Sequence, residues 1–422
     1  MDQDFGGPRQ FTDGNESVEL ALRTLVDWLL RSKLDRNTYH YESVKTLRYA
    51  LKNATYPKVM SFTDALGPIP SPNTLSQNQV PESRNCVIFT TPSECRDLLS
   101  RAPLTLPVYL PDGNIPASRV TLQQCFNFLA DRFHDIPGIC YMDVLSCPRP
   151  SPPSVGCPPR RILSPGSIAT RFARREPLDC PDLPCLAHSP FPDFMGELQN
   201  YSYLRLVHEN SRAGKRDIAI AHDLSDNVTS MEIASATTIK TPRRAPNGVT
   251  QILRVEQGQV AFLLWPCVTD GELIEWQTRQ GQELFPSRDE KIAVPQLPSS
   301  VINMEPGGVL LIPPDCLFMQ IALEATIITK VRVWDTRTIA KVPRAMQLDA
   351  QIPDIIKDER VFQCQYKLRR AVDAWENGNL FWEFPEYRQL PSFRHAVEQL
   401  GRSPKFVYIA SQQWEESKIL TV

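Results

Sequence analysis

Six histidines stand in this chain, at His40, His134, His188, His208, His222 and His395. A centre that activates oxygen or water on a metal needs imidazoles and carboxylates on one face of the ion, and the local sign of it is a His-x-Asp or His-x-Glu pair. His40-Tyr41-Glu42 has that spacing, but it lies in a helical run, where a solvated helix face is the plainer expectation. His208-Glu209 and His222-Asp223 are spaced wrongly for such a pair. From Asp223 to Arg394 there is no imidazole at all. Cys180-x4-Cys185-x2-His188, with Cys147 or Cys157 as a fourth ligand, has the residue types of a zinc site without the spacing of paired ligand hairpins. A buried cysteine acting as a small hydrophobe is the ordinary alternative. Gly-x-Ser-x-Gly, P-loop and Gly-x-Gly-x-x-Gly motifs are missing from the sequence, so hydrolase and nucleotide-binding chemistry have no handle.

Charge points to no partner class. Lysine plus arginine number 46, aspartate plus glutamate 48, and the net charge is −2, which gives no whole-chain attraction to nucleic acid or an anionic membrane. Three short basic clusters, Arg160/Arg161, Arg171/Arg174/Arg175 and Lys240/Arg243/Arg244, read as solvated loops, with a local basic patch as the alternative. The acidic, polar opening MDQDFGGPRQF lacks a secretory pattern, and no apolar run is long enough for a transmembrane helix. An odd count of 11 cysteines at irregular spacing fits reduced thiols and a nuclear or cytoplasmic protein, not a secreted one.

The elements that must position any site come in blocks. Residues 16–34 read as a helix capped by Asn15, with Val18, Leu22, Leu25, Val26 and Leu29 on one face. A second helix, Tyr39 to Asn53, turns Val44, Leu47 and Leu51 inward. CVIFTT reads as a strand, and TLQQCFNFLADRF as a helix with a Thr121–Gln124 capping box. Twelve of the 38 prolines fall between Pro148 and Pro192, which predicts irregular chain and excludes a continuous helix or central strand. From Tyr201 to Trp334 the texture becomes short apolar runs: YLRLVHE, VTQILRVEQ, VAFLLWP, GVLLIPP and ATIITKVRVWD. That is an all-β pattern at barrel or sandwich spacing. The C-terminal part reads as helices: a face of Val361, Cys364, Leu368, Ala371, Val372 and Trp375 ending at Gly378, then PSFRHAVEQLG and KFVYIASQQWEESKIL. The predicted organisation is an N-terminal helical region (1–66), a Pro-rich linker (67–85), a mixed α/β and Pro-rich segment (86–200), a β-barrel (201–340) and a C-terminal helical region (341–422). The fold class is α+β.

The stretch from Ser235 to Pro266 and the later EPGGVLLIPPDCLFMQI carry a resemblance. The loop Ser235-Ala236-Thr237-Thr238, Gly258 between two apolar runs, LLWP, and the Pro-Gly…Pro-Pro strand resemble the Jumonji C (JmjC) domain, a double-stranded β-helix of the cupin type. The resemblance implies a barrel flanked by N- and C-terminal helices. In active members it also implies Fe(II) held by His-x-Asp/Glu and a later His, with 2-oxoglutarate as cosubstrate. Here those ligand positions hold Thr241, Arg243 and Phe318. Arginine is a fixed cation with no lone pair to give, and phenylalanine has none either. Thr238 stands where some family members anchor 2-oxoglutarate, and Gln257 where they carry a lysine.

The resulting expectation is a catalytically inactive, JmjC-like pseudo-oxygenase that binds no metal or cofactor. It would act as a binding or scaffold protein for a protein partner, in chromatin or transcription regulation as the resemblance implies. Phe318 should plug the old pocket, and Arg243 should reach solvent or pair with a carboxylate. Thr238, Asn247 and Gln257, with Thr241 and Arg243, are the candidate pocket or anion-binding residues. The alternatives are an enzyme with a repurposed barrel pocket acting on a small molecule, and an active Fe(II)/2-oxoglutarate dioxygenase with ligands elsewhere.

Overall fold

A computed structural model describes residues 12–31, 38–51, 54–55, 58–60, 86–111, 120–135, 141–144, 160–184, 229–245, 248–265, 299–314, 316–349 and 390–400, with positions 34, 198, 368, 369 and 372. The expected linker 67–85, the run Tyr203–Glu209, most of the face from Val361 to Gly378 and the run Lys405–Leu420 lie outside the described residues.

In chain order the described elements begin with α1 (Thr12–Arg31), α2 (Tyr39–Ala50), β1 (Ala54–Thr55), β2 (Lys58–Met60), β3 (Cys86–Phe89) and α3 (Pro92–Arg101). Next come β4 (Val108–Leu110), α4 (Leu122–Asp135), β5 (Tyr141–Val144), β6 (Arg160–Ile162), α5 (Pro165–Ala173) and β7 (Leu178–Pro184). Eight strands follow: β8 (Thr229–Ala234), β9 (Ile239–Arg243), β10 (Thr250–Gln257), β11 (Val260–Trp265), β12 (Ser299–Met304), β13 (Val309–Ile312), β14 (Leu317–Ala322) and β15 (Thr326–Val333). A 3-10 turn (Thr336–Lys341), α6 (Val342–Asp349) and α7 (Leu390–Leu400) end the series. The chain is α+β.

Two sheets hold the strands. The smaller runs β1-β12-β11-β14-β9, the larger β2-β3-β4-β13-β10-β15-β8-β7-β5-β6. Strands β8 to β15 pair antiparallel throughout and contribute four to each sheet: β13-β10-β15-β8 and β12-β11-β14-β9. Their inner faces meet. Leu253, Val255, Leu310, Ile312 and Ile328 of the larger sheet pack with Val260, Phe262, Leu264, Ile302, Met304 and Phe318 of the smaller. Successive residues alternate faces, so the outward residues form separate clusters under helices. Ile239, Ala261, Leu263, Trp265, Leu317, Met319 and Ile321 lie under α1 and α2, where Leu22, Val26, Leu29, Val44, Leu47 and Leu51 meet them. Cys95 and Leu99 of α3 cover Ile252, Leu311 and Val331, while Cys125 and Leu129 of α4 and Ile168 of α5 cover Met231, Ile233 and Ile327.

Local chemistry explains the joints. Thr91 and Glu94 form a capping box at α3, and Thr121 and Gln124 exchange the expected one at α4, with Thr121 N donating to Gln124 Oε1 at 2.8 Å and Gln124 N to Thr121 Oγ1 at 3.3 Å. Gly258 joins β10 to β11 at φ +78, and a Cβ there would lie 2.3 Å from the Ala325 carbonyl oxygen. The Glu305–Gly308 turn leads into β13, which runs antiparallel to β10 from Val309↔Arg254 to Ile312↔Gln251.

Three expectations need correction. The Pro-rich segment is not simply irregular: it carries β6, α5 and β7, and β7 lies between β8 and β5 inside the larger sheet. Proline fits there because the pairing with β8 shifts register between Cys180 and Leu183, where Pro181 falls, and the pairing with β5 uses only Leu178 and Asp179. α1 begins at Thr12, so Asn15 lies within the helix and is not its cap. His40 is not on a solvated face: it is buried, on a helix packed against the smaller sheet.

Candidate functional site

The interior between the sheets is apolar at one end and charged at the other. On β8, Met231 and Ile233 point outward to α4 and α5, so alternation turns Glu232 inward. On β15, Ile328 is inward, which puts Lys330 on the same face. On β14, Leu317, Met319 and Ile321 face α1 and α2, leaving Phe318 and Gln320 inside. β9 needs a bulge to join them. Lys240 is paired with Gln320 and Arg243 with Phe318, so three steps along β9 match two along β14. The extra residue brings both cations to the interior face.

Glu232 is the hub and is wholly buried. Lys330 Nζ donates to its Oε2 at 2.8 Å. Lys240 Nζ and Gln320 Nε2 both contact its Oε1. Lys240 also pairs with Asp179 Oδ1 of β7 at 2.7 Å. Arg243 Nη2 donates to Gln320 Oε1 at 3.2 Å and stands 3.9 Å from Glu232 Oε2. Its guanidinium carbon lies 5.3 Å from the centre of the Phe318 ring, within cation–π range. Burial pushes the Glu232 carboxyl upward, but the charges of Lys240, Lys330 and Arg243 outweigh it and hold the group well below the usual carboxylate range.

Arg243 and Phe318, two of the three residues that the sequence resemblance set at ligand positions, are register partners on adjacent strands, and Thr241 lies within the same bulged strand as Arg243. Phe318 is 1% exposed and packs 6.3 Å from Phe262, centre to centre, filling the interior. Arg243 meets both expectations for it: its side chain is 35% exposed and faces a carboxylate. This set of atoms does not suit Fe(II). A cation, an aromatic ring and a carboxylate already held by two ammonium groups offer no open donor face for a metal. Among the described residues, no three or more His, Cys, Asp or Glu side chains are grouped to hold one.

The remaining predicted pocket residues are engaged otherwise. Thr238 Oγ1 donates to the Leu178 carbonyl at 3.0 Å and shares a hydrogen bond with Ser235, tying the β8–β9 turn to β7. Gln257 Oε1 accepts the Leu122 backbone N–H at 3.2 Å, at the start of α4. Asn247 lies outside the described residues. Cys180 is buried in the apolar cluster with Cys125 and Leu129, while Cys147, Cys157, Cys185 and His188 lie outside the described residues. The sequence reading missed Glu232, Lys330, Asp179 and Gln320. A signal existed: Glu232 interrupts the run TSMEIA and Lys330 and Arg332 the run TIITKVRV, and β alternation places such a charge inside when its neighbours face outward.

Burial lowers the His40 pKa to about 4, so its imidazole is neutral at pH 7. No known family model matches this chain, and no curated protein matches its sequence.

Proposed function

We propose that this protein is a JmjC-like pseudo-oxygenase: a double-stranded β-helix that has exchanged its iron centre for a fixed ion cluster and serves as a binding or scaffold protein. A nuclear or cytoplasmic role in chromatin or transcription regulation follows from the resemblance. The strand order supports the fold part of this reading. β8 to β15 distribute as β13-β10-β15-β8 and β12-β11-β14-β9, the interleaving that a chain produces when it winds as two stacked helical strands.

One observation carries the loss of chemistry. Arg243 and Phe318, which the resemblance sets at ligand positions, share the space between the sheets with Glu232, whose carboxylate is tied to Lys240, Lys330 and Gln320. A metal there would face the Arg243 cation, and a cosubstrate carboxylate would compete with Glu232 for the lysines. A repurposed small-molecule pocket is the second reading. It is favoured by the exposure of Arg243 while its neighbours Phe318, Gln320 and Lys240 are buried.

The test is anaerobic titration of the full chain with Fe(II) and 2-oxoglutarate. The wild type should give no metal-to-ligand charge-transfer band. The folded triple variant Thr241→His, Arg243→Asp, Phe318→His should gain Fe(II) affinity. A band in the wild type that is abolished by mutating an interior residue would overturn the pseudo-oxygenase reading. A folded triple variant with no gain would mean these positions never marked a metal site.

A further inference from the structure

We infer that the outer face of α1 docks a second copy of this chain, as an antiparallel helix pair with Thr24 on the two-fold axis. The inner face of α1 is accounted for: Leu22, Val26 and Leu29 are buried against α2 and the smaller sheet. Among the described residues three large hydrophobic side chains are exposed, and two of them, Leu20 at 67% and Trp28 at 59%, belong to this one helix. Four-residue spacing sets Leu20, Thr24 and Trp28 along one strip. With Ala21 and Leu25 they line a groove open to solvent. The polar groups beside the strip are turned off it. The Thr24 hydroxyl donates back to the Leu20 carbonyl at 2.8 Å, which satisfies it within the helix. Arg23 Nε donates to Glu19 at 2.7 Å, and its Nη2 to the Leu51 carbonyl at the end of α2. What is left on the strip is apolar surface without a cover.

Symmetry and charge select the chain's own copy as the occupant. Leu20 and Trp28 stand at equal distances from Thr24, about 6 Å along the axis on either side. In a two-fold contact residue i meets j and j meets i, so each Trp28 lies over the other copy's Leu20. The small Thr24 and Ala21 between them let the helices approach. α1 carries Asp13 and Glu16 near its start and Arg31 in its last turn. An antiparallel pair sets the basic end of each helix beside the acidic start of the other and opposes the two helix dipoles, whereas a parallel pair sets like ends together. An anionic membrane is a poorer match, because Glu19 and Asp27 offset Arg23 and Arg31 along the same helix. One helix of 20 residues buries less than a standard interface. The dimer is therefore weak and reversible, with a dissociation constant of about 10 μM.

Sedimentation velocity of the full chain, over a concentration series from about 1 to about 200 μM, reads this dimer. The weight-average mass should climb from monomer toward twice the monomer across the series. Leu20→Lys, at an exposed position, should raise the dissociation constant at least about tenfold. Arg31→Glu, which sets like charges together, should raise it about threefold to tenfold. Register is read by mild oxidation and peptide mapping against the wild type. Thr24→Cys should yield a disulfide joining the two substituted positions, because they meet at the axis. Leu20→Cys alone should not, since its two copies lie about 12 Å apart along the helices, beyond disulfide reach. Mixed with Trp28→Cys it should. A monomer throughout the series overturns the inference, whether Trp28 then proves to be shielded by another segment of this chain or to be taken up by lipid vesicles. A dimer indifferent to Leu20→Lys, or Leu20→Cys that links to itself as readily as Thr24→Cys, overturns it as well. The iron titration bears on none of these outcomes.

Discussion

Glu232→Gln is the sharpest perturbation of the interior. The substitution keeps the shape and removes one charge from a wholly buried site. Lys240 then retains Asp179, but Lys330 loses the carboxylate it contacts at 2.8 Å. Removing one partner of a buried ion pair costs about 3–5 kcal/mol, and Glu232→Gln should fall in that range. Lys330→Met in the same background removes the ammonium left facing the new amide. The double variant should therefore be more stable than the sum of the single effects predicts, by about 1–3 kcal/mol. Urea unfolding read through the buried Trp265 and Trp334 measures both quantities. The pH profile supplies a second signature. Because the folded carboxyl is depressed, its contribution is full above the unfolded pKa, near 4.5, and is lost as pH falls below it. Glu232→Gln should flatten that acid limb. A variant within about 0.5 kcal/mol of wild type, or strictly additive single effects, would refute the claim that this cluster is desolvated and mutually dependent.

The His40 imidazole has its folded pKa lowered from 6.5 to about 4, so the unfolded chain binds the extra proton first and stability should decline as pH falls through that window. The size is about 3 kcal/mol, and His40→Phe should remove most of the decline between pH 6.5 and 4 in urea titrations; an unchanged profile would count against the burial. Gly258→Ala should cost about 2 kcal/mol or more, since it forces an L side chain to φ +78 and into the Ala325 carbonyl. A loss below about 0.5 kcal/mol in the same assay would mean that the β10–β11 turn relaxes freely.

The parts of the fold written in apolar periodicity were legible. VTQILRVEQ, VAFLLWP, GVLLIPP and ATIITKVRVWD became β10, β11, β13 and β15, and the buried faces of α1 and α2 followed their spacing. β8, β9 and β12 were harder, because Glu232, Lys240, Pro242, Ser299 and Ser300 break the run of apolar letters although most of these side chains are buried. Charge in a strand reads as surface until its partner is known, and Asp179, Glu232, Lys240 and Lys330 come from four strands, of which only β8 and β9 are close in sequence. That Arg243 and Phe318 would lie close together was implied by the resemblance. The carboxylate opposite Arg243 was not, because pairing across sheets is set by topology and leaves no local mark. β7 was misjudged for a related reason: proline excludes a regular ladder, but a register shift beside it lets the strand continue.

Among the described residues β9 is the last strand of the smaller sheet, paired with β14. A terminal strand of a sheet is where another chain could add itself and start a growing stack. Pro242 offers no amide hydrogen to an incoming strand, and the bulge twists the backbone away from the flat register that such an addition needs. The irregularity that turns Lys240 and Arg243 inward therefore also makes β9 a poor template for an added strand.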